Sequence, residues 1–315
     1  MPMRTRSRAR RSALAQRAGL TLIELMIAMV MGLIVVSTAT GFALTTTRQL
    51  IKNEGREDYT RKARFVGMAF RRDVGEAGVS MSSIPGFGPV NVRGDTLVFL
   101  SRLWAPTEVP VYPVVWDGAW VPVANAGPCG ANCVFVRKSP ANTNVNLVAG
   151  DLALLTVGGA RRLLLIIGVT QNGAGDSARV LFRNADSTLA YPSNLSGLTL
   201  IANSSLYKLQ SVIYYREAAT NSLMRASNMT TAGAPNGQVV STGVTSWEAG
   251  VVFQDGTSGE FLSPGTTGRN FTNINAAWAR AEIGADRLDP RDPTPMRRTY
   301  EWRAVPRNLI FERNR

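Results

Sequence analysis

The chain has 315 residues, a net charge of +13, two cysteines and no histidine. With 45% hydrophobic and 18% charged residues it has the make-up of a folded protein, long enough for one large domain or two ordinary ones. The missing histidine excludes Ser–His and Cys–His nucleophile pairs, and two cysteines cannot complete a four-ligand zinc site.

The positive charge is concentrated at the two ends. Residues 1–19 hold Arg4, Arg6, Arg8, Arg10, Arg11 and Arg17 with no acid, and without them the net charge falls to +7. A second basic stretch runs from Arg287 to Arg315. A sequence pI near 10.6 would by itself point to nucleic acid.

From Leu20 to Leu44 the only charged residue is Glu24. As a helix this run would be about 37 Å long, enough to cross a hydrocarbon core of about 30 Å. It exceeds the apolar region of a secretory signal, and no A-x-A cleavage site follows it. The arginines before it outnumber Arg48 and Lys52 beyond it, which predicts a cytoplasmic start and an external C-terminal bulk. A carboxylate inside an apolar span is costly, so Glu24 is expected to have a function.

The segment Arg17-Ala18-Gly19-Leu20-Thr21-Leu22-Ile23-Glu24-Leu25-Met26 resembles the prepilin processing motif. That family has a basic leader ending in Gly, then an apolar residue and Thr-Leu-Ile-Glu. The resemblance implies cleavage by a membrane-embedded prepilin peptidase between Gly19 and Leu20, with methylation of the new N-terminus. The usual first mature residue is Phe, and here it is Leu20. Removal of the leader takes much of the basic excess with it and weakens the nucleic-acid inference.

Cleavage would place a cationic amine at Leu20, one helical turn from Glu24. In a filament, Glu24 of one subunit can meet the N-terminal amine of a neighbour, and a subunit out of axial register would leave the charge unpaired. Glu24 is therefore read as an assembly and register device, against the plainer reading of a carboxylate snorkelling from near the helix end.

Residues 45–80 contain no proline, and apolar or small residues recur at Ile51, Gly55, Tyr59, Ala63, Val66, Phe70, Val74 and Ala77. Steps of three and four make a helical stripe, with charges on the other faces. One helix is predicted over residues 20–78, apolar all round in its first half and amphipathic in its second. This matches the pilin plan, in which the first half packs with other subunits and the second with its own head; a coiled coil is the competing reading. Gly41 stands where major pilins commonly carry a helix-breaking proline. It is read either as a point of local melting or as a close-packing position.

Beyond Pro85 the pattern changes to short β-branched and aromatic runs divided by Gly, Pro, Asn and Asp. Strands are predicted at 95–102, 119–124, 133–138, 151–157, 162–169, 178–183, 205–217, 222–227, 237–242, 246–254 and 299–305, and residues 275–284 read as helix or strand. Run 162–169 is too short to span a membrane. Three domains follow: a leader at 1–19, a helix at 20–78 with a membrane and filament core at 20–44, and a β-rich head at 79–315. The fold class is α+β, pilin-like, with the long helix packed on an antiparallel head.

Three later segments resemble PilW-type minor pilins and, less closely, the J-type minor pseudopilin of type II secretion. They are Arg72-Asp73-Val74-Gly75-Glu76-Ala77-Gly78 at the helix end, Val212-Ile213-Tyr214-Tyr215 followed by Ser222-Leu223-Met224-Arg225, and the span from Arg297-Arg298-Thr299-Tyr300 to Arg307-Asn308.

Cys129 and Cys133 flank Gly-Ala-Asn in a Gly-Pro-rich turn. Outside the cytoplasm a disulfide closing that loop is preferred to free thiols or a metal. Asp286, Asp289 and Asp292 fall in a Pro-rich loop beside Arg287 and Arg291, a better fit to a solvated loop than to a calcium site. Arg297, Arg298 and Arg303, interleaved with Tyr300 and Trp302, would suit phosphate contacts and base stacking on DNA, or else a charged edge strand that resists aggregation.

With no P-loop, nucleotide-binding glycine fingerprint or catalytic constellation, the expectation is a non-enzymatic protein without cofactor or metal. The resemblance implies a minor pilin that initiates type IV pilus assembly near the filament tip. Its partners would be prepilin peptidase, other minor pilins, the major pilin and the inner-membrane assembly machinery. Its place would be the bacterial inner membrane, head in the periplasm, and then the filament. The alternatives are a type II secretion pseudopilin and a monomeric membrane-anchored surface- or DNA-binding protein.

Overall fold

A computed structural model describes residues 21–102, 114–115, 133–137, 147–157, 160–171, 177–184, 189, 205–259, 270–286 and 296–307. The predicted run 119–124 lies outside these. The fold is α+β: one long N-terminal helix, α1 (Leu22–Glu76), and antiparallel sheets. Two compact units divide the chain within α1, one up to Asn53 and one from Glu54 onward.

In the first unit the helical residues from Leu22 to Leu44 are exposed throughout. Among the described residues α1 is the one helix long and apolar enough to cross a membrane. Gly41 lies within the unbroken helix, and a Cβ built there would meet nothing within 4 Å. Packing among the described residues therefore does not require that glycine.

In the second unit Gly55, Tyr59, Ala63, Val66, Phe70, Val74 and Ala77 are buried, as the stripe requires. The helix stops where Gly78 takes a φ of 80°, a left-handed conformation that costs glycine little. Its N–H donates to the Leu100 carbonyl at 2.8 Å, joining the helix end to the first sheet.

Among the described residues that sheet has ten strands: β1 (Val90–Arg93), β2 (Thr96–Arg102), β3 (Val114–Val115), β4 (Cys133–Arg137), β5 (Leu152–Val157), β6 (Ala160–Gln171), β7 (Ser177–Asn184), β8 (Ser205–Glu217), β9 (Ser222–Met229) and β10 (Pro235–Ser241). The pairing path β8–β3–β4–β7–β6–β5 returns to β8, closing six strands into a small barrel. Ala153, Leu155, Leu164, Ile166, Ala178, Val180, Phe182 and Leu206 form one buried cluster, filling the interior as expected for so few strands. Leu152, Leu154, Leu163 and Leu165, on the opposite faces of β5 and β6, join the main core instead. Burial on both faces explains why 163–166 is continuously apolar rather than alternating.

The second sheet orders its strands β12 (Ser258–Gly259), β11 (Val244–Phe253), β13 (Ile274–Gly284) and β14 (Arg297–Ala304). Residues 275–284 are therefore strand, entered through a 3-10 turn at Phe271–Asn273. The main core gathers the buried stripe of α1, the inner faces of both sheets and Trp302. Gly67 lets the helix approach Trp302 closely: a Cβ built there would lie 2.7 Å from the indole Cδ1.

Candidate functional site

The N-terminus of α1 is built by its own motif. The Glu24 N–H donates to Thr21 Oγ1 at 3.3 Å, while the Thr21 N–H and hydroxyl donate to Glu24 Oε2 at 3.0 and 2.9 Å. This reciprocal capping box satisfies donors that a helix start leaves open. Thr-Leu-Ile-Glu thus starts the helix as well as marking the processing segment, and the Thr-x-x-Glu spacing carried that signal. Glu24 is exposed and three residues from Thr21, the first described residue; Gly19 and Leu20 lie outside the described residues.

A second polar site sits where α1 meets the first sheet. The Asp73 side chain is fully buried beside Arg225 of β9, with Arg225 Nε and Nη2 donating to Oδ2 and Oδ1 at 2.7 and 3.0 Å. The Tyr214 hydroxyl of β8 donates to Oδ2 at 2.6 Å, and Arg72 stands 3.2 Å from Oδ1. Burial alone would raise the Asp73 carboxyl, but hydrogen bonds from Arg225 and Tyr214 and the charges of Arg225 and Arg72 together hold it below the usual carboxylate range. Burial, then the bond to Asp73 and its negative charge, push the Tyr214 phenol up. The hydrogen bond to Asp73 leads in raising the Arg225 guanidinium further. Phe70 packs edge-on to Phe99, Phe99 edge-on to Tyr214, and Tyr214 stacks on Trp247, with centroids 6.0, 6.3 and 6.2 Å apart.

Three segments far apart in sequence thus converge on one carboxylate. Read separately, Arg72-Asp73, Tyr214-Tyr215 and Leu223-Met224-Arg225 gave no hint of a shared contact. The available signal was an acid three residues after Phe70 and four before Ala77, on the stripe that had to be buried.

The other sequence candidates are dispersed. Cys133 is buried at the start of β4, and Cys129 lies outside the described residues. Asp286 pairs with Lys62 at 2.7 Å and accepts from the Thr242 hydroxyl, while Asp289 and Asp292 are outside the described residues. No cluster suited to a metal occurs among the described residues.

Arg297, Arg298 and Arg303 lie on β14, the edge of the second sheet. Arg297 stands 3.8 Å from Glu282, and Arg298 is over the Tyr300 ring at 5.6 Å. Alongside, Arg280 stands 3.0 Å from Glu301 and 3.8 Å from Glu248. Acids and bases thus alternate along the described part of this edge.

A family model described as the prokaryotic N-terminal methylation motif matches residues 14–40. No curated protein and no solved structure matches the chain. The motif implies processing by prepilin peptidase in a pilus-assembly context, and the apolar helix behind it fits a membrane anchor. Together they support a type IV pilin-like or pseudopilin-like precursor.

Proposed function

We propose that the chain is a structural, non-catalytic minor pilin, cut between Gly19 and Leu20, methylated on Leu20 and built into a type IV pilus near its tip. The observation that carries this reading is a methylation motif over residues 14–40 that overlaps an apolar helix half exposed among the described residues. The arginine-rich leader stays in the cytoplasm, residues 20–44 cross the inner membrane, and the β-rich head faces the periplasm until the subunit is extracted into the filament. Glu24 then exchanges part of its bonding to Thr21 for the terminal amine of a neighbour, fixing axial register. Outside the cytoplasm Cys129 and Cys133 close their loop with a disulfide.

The test is the N-terminus of protein taken from its own membranes and from sheared filaments, read by intact mass and terminal-peptide analysis. A chain beginning at methylated Leu20 in both fractions supports the reading. An intact Met1 start in cells with active prepilin peptidase overturns it. A processed chain absent from pili but required for protein secretion points to the type II pseudopilin instead.

A further inference from the structure

Between α1 and β10 runs a groove of about 390 Å³, with Phe65, Met68 and Arg72 on the helix side and Arg225, Gln238 and Val239 on the strand side. Phe65, Met68 and Val239 are 55%, 65% and 55% exposed, so three large apolar side chains line one concavity open to solvent. Among the described strands β10 pairs with β9 alone, so its outer edge has no partner strand among them, although the Tyr215 hydroxyl lies against its start at Pro235 and Gly237. Register shifts on either side confine its regular stretch to Gly237–Val239. The charge along the groove is one-sided. The Arg72 side chain is 62% exposed, and the nearby acid, Asp73, is buried and already bound by Arg225 and Tyr214.

We propose that this groove docks a short extended segment of a neighbouring pilin-like subunit, carrying apolar side chains and one carboxylate. The segment lies along Gly237–Val239 and takes backbone hydrogen bonds from that edge, as in strand addition. Its apolar side chains fill the space between Phe65, Met68 and Val239, and its carboxylate meets the exposed Arg72 guanidinium. Two arginines against one buried acid leave the groove with a positive surplus, which favours an acidic segment over a basic one. The identity of the occupant rests on the pilin-like reading, under which other subunits surround this chain in its working state.

The test places a photoreactive benzoylphenylalanine at Val239, and separately at Glu301 on β14 as a control, in the full chain in its own cells. Adducts and the N-terminus are analysed by mass spectrometry in the same sample. The expected result is a Val239 adduct to an acidic, apolar stretch of another chain that itself begins at a methylated residue. Glu301 should give none. Met68→Glu, at an exposed position, should lower the adduct yield about tenfold by setting like charge against the carboxylate, with the thermal melt unchanged. No adduct, a lipid adduct alone or an adduct within the same chain overturns the docking proposal if the chain begins at Leu20. So does a yield unaffected by Met68→Glu. A chain still beginning at Met1 instead overturns the pilin-like reading, and the assigned occupant with it.

Discussion

The two halves of α1 share one secondary structure and have opposite surroundings. Residues 22–44 expose apolar side chains on every face, while residues 55–77 bury one stripe and send charges outward. Backbone hydrogen bonding is the same in both, so it does not distinguish them. The difference lies in what covers the side chains. The second half finds its cover in the sheets of its own unit, whereas the first is exposed among the described residues and is apolar enough to cross a membrane. The second half also carries a buried acid with its partners alongside, whereas the acid of the first half is exposed and, among the described residues, held by Thr21.

The comparison breaks most directly at Asp73. Asp73→Ala leaves Arg225 and the buried Tyr214 hydroxyl without their acceptor and should cost about 3–5 kcal/mol, the usual penalty for removing one partner of a buried ion pair. Denaturant unfolding of the full chain in detergent measures it, and a loss below about 1 kcal/mol would show the contact to be dispensable.

Acid should act on the same contact. The folded Asp73 carboxyl titrates below its unfolded value, so its stabilisation is full above the unfolded value of about 3.9 and is lost as pH falls through the lower folded value. Melting temperatures taken from neutral pH downward should drop in that window, and Asp73→Asn should flatten the drop.

A smaller effect is expected at Gly67. A methyl group there would press on the Trp302 indole, an overpacking cost of about 1–3 kcal/mol, against a gain of about 1 kcal/mol in helix propensity. Gly67→Ala should therefore lower stability slightly. Gly41→Ala, with open space around it, should not.

The smallest folding effect, about 1 kcal/mol, belongs to the capping box. Thr21→Ala and Glu24→Ala should reduce helix content near the N-terminus about equally. If Glu24 also sets register, Glu24→Ala alone should abolish filament incorporation. Equal losses for the two variants would reduce Glu24 to a helix cap.

Much of the fold was legible because it depends on local pattern. Proline-free spacing of three and four drew α1, and alternation between turn residues placed β2, β8 and β11 close to their observed bounds. Strand β1 was missed because Val90–Arg93 is short and stands directly after Pro89. Strands β3 and β12 have two residues each and leave no periodicity to read.

The sequence by itself determined the N-terminal motif, the long helix with its two halves and most of the longer strands. These rest on local spacing, which each segment carries alone. Only the tertiary structure decided that six strands close into a filled barrel, and that Tyr214 and Arg225 meet at Asp73. The groove beside β10 is likewise a product of the assembled fold. Such contacts join residues as far apart as Asp73 and Arg225, 152 positions along the chain, and are fixed by how apolar faces stack once they share a core.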